Sequence, residues 1–409
     1  MGLDLMRPET PPSAQQPKVQ GEINMEHTRK LIITLCMVAL LLISGCATQT
    51  AQTTVISIPD KTSIQEKTPI KIGALLPLSG PNAKYGEEIR QGIELAREEL
   101  NSQGGINGRN VEVLYEDDQA DPKTGVSAIQ KLIDVEGVHV ILGPWASGVA
   151  LATAPIAEDK KVIMLAEAIA PAISDAGDYI FRIQASAVYY SMAAAQYLVS
   201  VNATNAAVLY IDNDFGRSFK DAFIKDFTAT GGRIVADEPY DASVPDFRTQ
   251  LMKIKDSEPD AVMIIGYQET ANAIKQMHEM GIKAQIVAGP PFENPAIIEA
   301  LGKLAEGVRY TYHYDPRDPN TKDFAERFRA RYQMESGGFA PLMYDGFKIV
   351  SEALKKCGED TNCIKSALYD TRHNGVMGEI SFDEKGDPHM PIIMKTVRDG
   401  KFVRFEVKR

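Results

Sequence analysis

One loop of the sequence carries residue types that suit the binding of a small polar molecule. It reads Gly143-Pro144-Trp145-Ala146-Ser147-Gly148, follows an apolar run and opens a predicted helix. Backbone N–H groups at a helix start, together with the Ser147 hydroxyl, suit an anionic or carbonyl oxygen. Trp145 is the only tryptophan of the chain, and its type fits a binding site or a core aromatic equally well. Ser147 also fits a simple helix N-cap.

Catalytic patterns are weaker. As a nucleophile, Ser147 lacks the G-x-S-x-G turn and a nearby histidine. Asp117 and Asp118, after a predicted strand, are the best candidates for acid–base chemistry, although aspartates at strand ends commonly cap loops and helices. No phosphate-binding glycine motif is present, and His278-Glu279 is not followed by a second histidine at zinc-binding spacing. The sequence therefore predicts no metal and no cofactor.

The composition is that of an ordinary globular protein with an acidic balance. The chain has 409 residues, 44% of them hydrophobic, and a formal net charge of −11. This length predicts two or three domains. An acidic chain without a basic block repels phosphate backbones, so no nucleic-acid partner is expected. Six histidines and four cysteines leave little material for a multi-metal or redox enzyme.

The segment from Met25 to Cys46 is typical of a secretory signal. Basic Arg29 and Lys30 precede an apolar run, 31–43, that is too short to span a bilayer. The run ends at Ile43-Ser44-Gly45-Cys46, which resembles the lipobox of bacterial and archaeal lipoproteins and implies a lipid on Cys46 after cleavage. A signal normally begins at the N-terminus, so Met25 is the expected start of the protein. Residues 46–68, rich in Thr, Gln and Ser, are then a flexible, lipidated tether.

Two cysteines remain for the exported body, Cys357 and Cys363. An exported chain with two thiols at this spacing is expected to pair them. On one continuous helix their Cα atoms lie about 9 Å apart, beyond disulfide reach, so the helix must end near Gly358. A structural disulfide is favoured over a zinc site, because two further ligands at suitable spacing are lacking.

The body of the chain alternates short apolar runs with amphipathic segments, which predicts parallel α/β sheets. Predicted strands lie at 70–76, 111–115, 138–142 and 162–165, and in a second series at 206–211, 233–236, 261–265 and 285–288. Predicted helices lie at 86–101, 123–135, 215–228, 247–255 and 270–280, one more begins near 147, and two fall within 321–356. Residues 378–383 and 395–406 favour antiparallel strands. Two such series predict two doubly wound lobes.

Several motifs in order resemble the type I periplasmic-binding-protein superfamily, specifically the branched-chain amino-acid-binding proteins of ABC importers. The motifs are Ile72-Gly73-Ala74-Leu75-Leu76-Pro77-Leu78-Ser79-Gly80-Pro81, Tyr85-Gly86, Gly92, Asn101-Ser102-Gln103-Gly104-Gly105-Ile106-Asn107-Gly108, Asp117-Asp118, Asp121-Pro122, Ile141-Leu142-Gly143, Arg182, Asp214-Phe215-Gly216 and Phe382-Asp383-Glu384-Lys385-Gly386. The resemblance runs from about Ile70 to the C-terminus.

The resemblance implies two lobes joined by three crossing segments, with a ligand held in the cleft between them. The implied organisation is an upstream extension and signal peptide (1–45), the tether (46–68), lobe 1 (69–185), lobe 2 (186–312), a return to lobe 1 (313–379), and a final crossover with the lobe 2 tail (380–409). The crossings are expected near 182–189, 309–315 and 378–383.

The resemblance also implies the binding residues. Ser147 with the neighbouring Ala146, backbone groups of the Ala168-Ile169 loop and the Tyr85 ring hold the ligand from lobe 1, and Tyr267 closes over it from lobe 2. The family's usual threonine hydroxyl is replaced here by Ile169. The lobe 2 acid that pairs with an amino-acid ammonium is displaced to Glu293.

These two departures leave the ligand class open. Glu167 either replaces the lobe 2 acid from the opposite lobe or is a solvated loop carboxylate. Aromatic and apolar side chains suit a flatter cleft for an aromatic acid or amide, and they are Trp145, Ile169, Tyr189, Tyr267 and Phe292.

The function implied by the resemblance is capture of a small amino acid, amide or organic acid by hinge closure, followed by delivery to an ABC permease. The expected protein is a monomer, lipid-anchored on the extracytoplasmic face of a membrane, and not an enzyme. Two alternatives stay open, namely a sensor that presents the solute to a membrane receptor or kinase, and a hydrolase that uses Ser147.

Overall fold

A computed structural model describes residues 68–406 of the chain. The expected signal peptide, the lipid site at Cys46 and the tether up to residue 67 lie outside the described residues. Across 68–406, none of the helices combines the length and the apolar character that crossing a membrane requires.

The first lobe is built on a five-stranded parallel sheet. The strands are β1 (Ile70–Leu76), β2 (Val111–Asp117), β3 (Val140–Leu142), β4 (Ile163–Ala166) and β5 (Ile180–Arg182). Their order in the sheet is β2-β1-β3-β4-β5. Strands β3, β4 and β5 are buried along their whole length, as expected for a parallel sheet covered by helices on both faces.

Three helices connect these strands. They are α1 (Ala83–Ser102), α2 (Pro122–Gln130) and α3 (Ser147–Asp159), and one π-helical turn, Lys131–Val135, continues α2. Asp121 caps α2 by accepting a hydrogen bond from the Thr124 N–H, and Pro122 follows at the first helical position. Both features are standard helix-start signals.

The second lobe repeats the same arrangement. Its strands are β6 (Asn205–Ile211), β7 (Arg233–Tyr240), β8 (Ala261–Ile265), β9 (Gln285–Ala288), β10 (Arg309–Tyr312), β13 (Ile393–Arg398) and β14 (Lys401–Arg404). The sheet order is β14-β13-β10-β9-β8-β6-β7. Strands β6 to β10 are parallel and follow the order of the first sheet, whereas β13 and β14 extend it antiparallel. The prediction of two doubly wound lobes is confirmed.

Helices of the second lobe follow the same alternation. They are α4 (Ala187–Ser200), α5 (Asp214–Ala229), α6 (Arg248–Asp256), α7 (Thr270–Glu279) and α8 (Pro295–Leu301). The sequence did not predict α4, because its apolar residues are too evenly spread to show a helical period. Ser186 marks its start and accepts a hydrogen bond from the Val188 N–H.

The chain then returns to the first lobe. The returning elements are α9 (Pro319–Tyr332), α10 (Phe339–Cys357), α11 (Thr361–Tyr369) and a hairpin of β11 (His373–Gly375) and β12 (Gly378–Ile380). Helix α10 packs tightly on α1, since a Cβ added at Gly92 would lie 2.1 Å from the Ala340 carbonyl oxygen. Helix α10 ends at Cys357 and Gly358 follows with φ 62°, so a disulfide joins Cys357 to Cys363 across Cα atoms 5.5 Å apart.

Three segments connect the lobes, at 183–186, at 313–318 and after Gly386. The third lies later than the 378–383 expected from the sequence. Strand β12 pairs with β11, Phe382 packs on Phe181 of the first lobe, and the Arg182 N–H donates to the Gly386 carbonyl. The chain therefore joins the second sheet only at β13.

An ion pair joins Arg182, at the end of β5 next to the first connection, to Asp387 in the third connection, whose side chain is 16% exposed. The Arg182 side chain is 1% exposed, and its Nε donates to Asp387 Oδ1 at 2.7 Å, while Nη2 contacts Asp387 Oδ2. Arg182 Nη1 also donates to the Ala170 carbonyl at 2.9 Å, and the Ser174 hydroxyl donates to Asp387. Every polar group of the pair is thus hydrogen-bonded close to where the lobes meet.

Candidate functional site

The carboxyl ends of strands from both sheets converge on one cleft. Trp145 and Ser147 follow β3, and Glu167 and Ile169 follow β4 in the first lobe. In the second lobe Phe215 follows β6, Tyr267 follows β8, and Pro290 and Pro291 follow β9. This is the position at which open α/β sheets bind ligands.

A small cavity lies in this cleft, with roughly 310 Å³ of atom-free space that includes the part open to solvent. Its lining residues are Trp145, Ser147, Glu167, Ile169, Gln184, Phe215, Tyr267, Pro290, Pro291 and Phe339. The enclosed part of this space has room for only about one water molecule. The lobes are therefore closed around a nearly filled site.

Aromatic rings from both lobes fill most of the cleft. Tyr85 stacks on Trp145, with centroids 4.6 Å apart and planes at 15°, and Phe339 meets Trp145 edge-on at 6.0 Å. From the second lobe, Tyr267 lies 5.4 Å from Trp145 and stacks on Phe215 at 5.2 Å. The rings give the cavity apolar walls that span the interlobe boundary.

The loop before α3 places Ser147 at the cavity. Gly143 adopts φ 91°, and a Cβ there would lie 2.3 Å from the Leu75 carbonyl oxygen, so this turn requires glycine. Helix α3 begins at Ser147, whose side chain is buried and lines the cavity. The first N–H groups of a helix have no acceptor within it, so this end of the cleft offers donors to a ligand oxygen.

Glu167 is the most unusual group of the site. It is 0% exposed, and within residues 68–406 neither carboxylate oxygen has a hydrogen-bond partner. Its own N–H donates to the Pro144 carbonyl at 3.0 Å, which fixes the loop next to Trp145. Burial, and then the nearby Glu88, raise the pKa of Glu167 well above its usual value. The interpretation as a solvated loop carboxylate is therefore wrong.

Three residues expected in the cleft lie elsewhere. Glu293 accepts hydrogen bonds from Lys395 Nζ at 2.6 Å and from the Tyr310 hydroxyl at 2.7 Å, so its charge is already paired. Phe292 packs in the second lobe, 5.2 Å from Tyr310, because the short helical turn at 290–292 directs it away from the cavity. Tyr189 is half-buried on α4 and does not line the cavity.

The remaining expected residues come together. Trp145, Ser147, Glu167, Ile169 and Tyr267 line the cavity. Tyr85 packs against this group through the Trp145 ring. Ala146 lies between Trp145 and Ser147 in the chain, Ala168 lies between Glu167 and Ile169, and both alanines are buried.

Sequence reasoning missed several residues of the lining. Phe215 lies within a motif that carried the family resemblance, and Gln184 lies in the first connection, so both had a signal in the sequence. Phe339 reaches the cleft only because α10 returns to the first lobe. Pro290 and Pro291 belong to the loop after β9, a few residues before Glu293, the acid that the resemblance implied for the site.

Asp118, the sequence candidate for acid–base chemistry, lies outside the cavity lining. It is 0% exposed, its Oδ1 accepts from the Ala120 N–H at 2.7 Å, and its Oδ2 has no partner among the described residues. Burial, with smaller contributions from Asp117 and Asp121, raises the pKa of Asp118 to about 7. Asp118 therefore caps the loop after β2 and is not part of the cavity.

We expect Asp118 to make the protein less stable as the pH rises from about 4 to about 7. In this range the unfolded chain has released the proton that the folded protein retains, so rising pH favours unfolding. At 1.36 kcal/mol per pKa unit, the change in unfolding free energy is at most about 4 kcal/mol. Urea denaturation at several pH values should give a flatter profile for Asp118→Asn. Parallel profiles of the two proteins would contradict the assignment.

A comparison with known families accounts for this two-lobed arrangement. Residues 69–401 match the family described as periplasmic binding protein, which covers most of the chain. The chain belongs to the periplasmic binding protein family.

Individual members of the periplasmic binding protein family show the same likeness. The Leu/Ile/Val-binding protein homolog 2 of Brucella abortus is 29% identical over 349 residues, which is 82% of this chain and 93% of that protein. The solved leucine-binding protein LivK of Thermotoga maritima has a TM-score of 0.78 at 29% identity, covering 82% of this chain and 98% of that one.

A third member was solved with a different class of ligand. The ABC transporter solute-binding protein of Rhodopseudomonas palustris, in complex with 3,4-dihydroxybenzoic acid, has a TM-score of 0.75 at 28% identity, covering 83% of this chain and 96% of that one. Similar chains of this family thus accommodate different ligands.

Proposed function

We propose that the protein is an extracytoplasmic solute-binding protein of a branched-chain amino-acid-type ABC importer. It captures one small solute between its lobes and delivers it to a permease. The observation that carries the proposal is the cavity at the strand ends of both lobes, where the buried Glu167 and Ser147 face aromatic walls. Relatives named for leucine, isoleucine and valine binding support the same function.

Binding proceeds by opening and closing of the lobes. The cavity is too small for a solute to enter without movement, so the lobes must separate first. Contacts across the boundary then hold the closed form, among them the Tyr85 hydroxyl to the Pro291 carbonyl at 3.4 Å and Lys84 Nζ to Asn294 Oδ1. A ligand favours closure only through contacts that exist in the closed state.

The solute is a small amino acid, amide or organic acid. The related proteins named for leucine and for 3,4-dihydroxybenzoic acid support this range. Ile169, in place of a threonine, and Glu293, paired with Lys395, both remove groups that an α-amino acid uses in the family.

Attachment to the membrane is through a lipid on Cys46. The basic residues, the apolar run and the Ile43-Ser44-Gly45-Cys46 motif support this anchor and an extracytoplasmic location. The proposed working unit is a monomer, because one chain supplies both walls of the cleft.

A thermal-shift screen over amino acids, amides, carboxylates, and small organic amines and amidines tests the proposed function. A true solute at one hundred times its dissociation constant should add about 2.7 kcal/mol to the unfolding free energy. The same solute should be recovered chemically unchanged when the complex is denatured. Absence of stabilisation by every solute, or recovery of a converted product, would contradict the proposal.

A further inference from the structure

The cavity lining includes an acidic side chain but no basic one among the described residues. Among its lining residues within 68–406, Glu167 is the only acidic or basic side chain. The charged neighbour that affects it is Glu88, another carboxylate, and the buried Lys395 is held by Glu293. An anionic solute would therefore enter a site without a compensating cation, which is costly, whereas a cationic solute would favour the ionised form of the buried Glu167 carboxyl.

The Glu167 carboxyl also lacks hydrogen-bond donors. In the part of the chain that the structure describes, neither of its buried oxygens has a partner, although the great majority of buried polar groups are hydrogen-bonded. A solute that brings N–H groups satisfies these oxygens, and charge-assisted hydrogen bonds of this kind are among the strongest in proteins.

The aromatic walls suit the same type of solute. Trp145, Phe339 and Tyr267 lie around the cavity from both lobes, and a cation is attracted to the face of such rings, most strongly to tryptophan. The attraction increases when water is excluded, as it is where the lobes close on the site.

We propose that the cleft selects a small organic cation that bears N–H groups, an amidinium or a protonated amine. Its N–H groups donate to the Glu167 carboxylate, and its body packs between the aromatic rings. The proposal rests on the proposed function, because it requires the cleft to be the solute site. In place of the amino acids, amides and organic acids of the proposed function, it assigns cations that carry no carboxylate.

Two sets of isosteric probes test the proposal by calorimetry. The first is acetamidinium, acetamide and acetate, and the second is benzamidinium, benzamide and benzoate, with leucine as the zwitterion. The cation of at least one set should bind about tenfold or more tightly than its neutral and anionic analogues and than leucine. Tighter binding of an anion, an amide or leucine would overturn the proposal. So would failure of both cations to bind at millimolar concentration.

The variant Glu167→Gln keeps the shape of the side chain and removes the charge. The cation that binds should lose about tenfold or more in affinity, together with its advantage over the neutral amide. The matched control is Asp118→Asn, which changes another buried carboxyl of the first lobe, one outside the cavity lining. This control should keep the affinity for the cation and the preference for the cation over the neutral amide. Equal losses in the two variants would overturn the assignment of Glu167.

The two proposals fail in different ways. If an anion, an amide or leucine binds and the cations do not, the cleft remains a solute site and only the choice of cation is wrong. If no solute of any charge binds here or in the thermal-shift screen, the proposed function fails as well.

Discussion

Replacing Arg182 with methionine is expected to lower the unfolding free energy by about 3–5 kcal/mol. The side chain is 1% exposed, and its guanidinium is paired with Asp387 between the first and third connections of the lobes. Methionine fills a similar volume but leaves the Asp387 carboxylate without its partner and the Ala170 carbonyl without a donor. Breaking such a pair from one side is costly because the remaining Asp387 charge, 16% exposed, stays largely buried.

Urea denaturation of matched variants measures this effect. The control Arg248→Met removes an arginine from ion pairs with Asp246 and Glu279, but its side chain is 56% exposed, so a loss below about 1 kcal/mol is expected. The double variant Arg182→Met with Asp387→Leu should recover part of the loss, because neither charge is then left alone. Equal stability of Arg182→Met and Arg248→Met would contradict the role of the pair.

Replacing Tyr267 with alanine is expected to weaken solute binding by about 30-fold or more, equivalent to about 2 kcal/mol. The ring belongs to the second lobe and lies 5.4 Å from Trp145 of the first lobe, so it contributes to the site mainly when the lobes are closed. Its loss removes an aromatic wall and also a contact that favours closure.

Calorimetry with the solute found in the screen measures this loss. The matched control is Tyr189→Ala, which removes the same side chain from a half-buried position on α4 that does not line the cavity. The control should bind within a factor of about three of the wild type. Equal affinity of Tyr267→Ala and the wild type would remove Tyr267 from the site, and a large loss in Tyr189→Ala would place Tyr189 in the site.

Much of the fold follows from local sequence patterns. Buried runs such as Ile70–Leu76 and the amphipathic segments between them predicted most strands and most helices of both lobes, but not β5 and β10. Helix α4 was missed because its apolar residues have no clear period. The third connection was misplaced because 378–380 form a strand that pairs with β11, and only long-range pairing shows which sheet a strand joins.

The candidate site was predictable where it depends on one loop. Trp145 and Ser147 were found because a strand end and a helix start are local features. Glu293 was misassigned because its partner Lys395 lies on a strand about one hundred residues later in the chain. The burial of Glu167 depends on packing of both lobes, and Phe339 arrives on a helix that returns to the first lobe. Neither feature has a local signal.

The emission of Trp145 gives the most direct test of the central claim, that solute is captured in the cleft between the lobes. It is the only tryptophan of the chain, and it lines the cavity against Tyr85 and Tyr267. Titration with the solute that stabilises the protein should change this emission in a saturable manner with one solute per chain. A solute that stabilises the protein and leaves the Trp145 emission unchanged would bind elsewhere and contradict the claim.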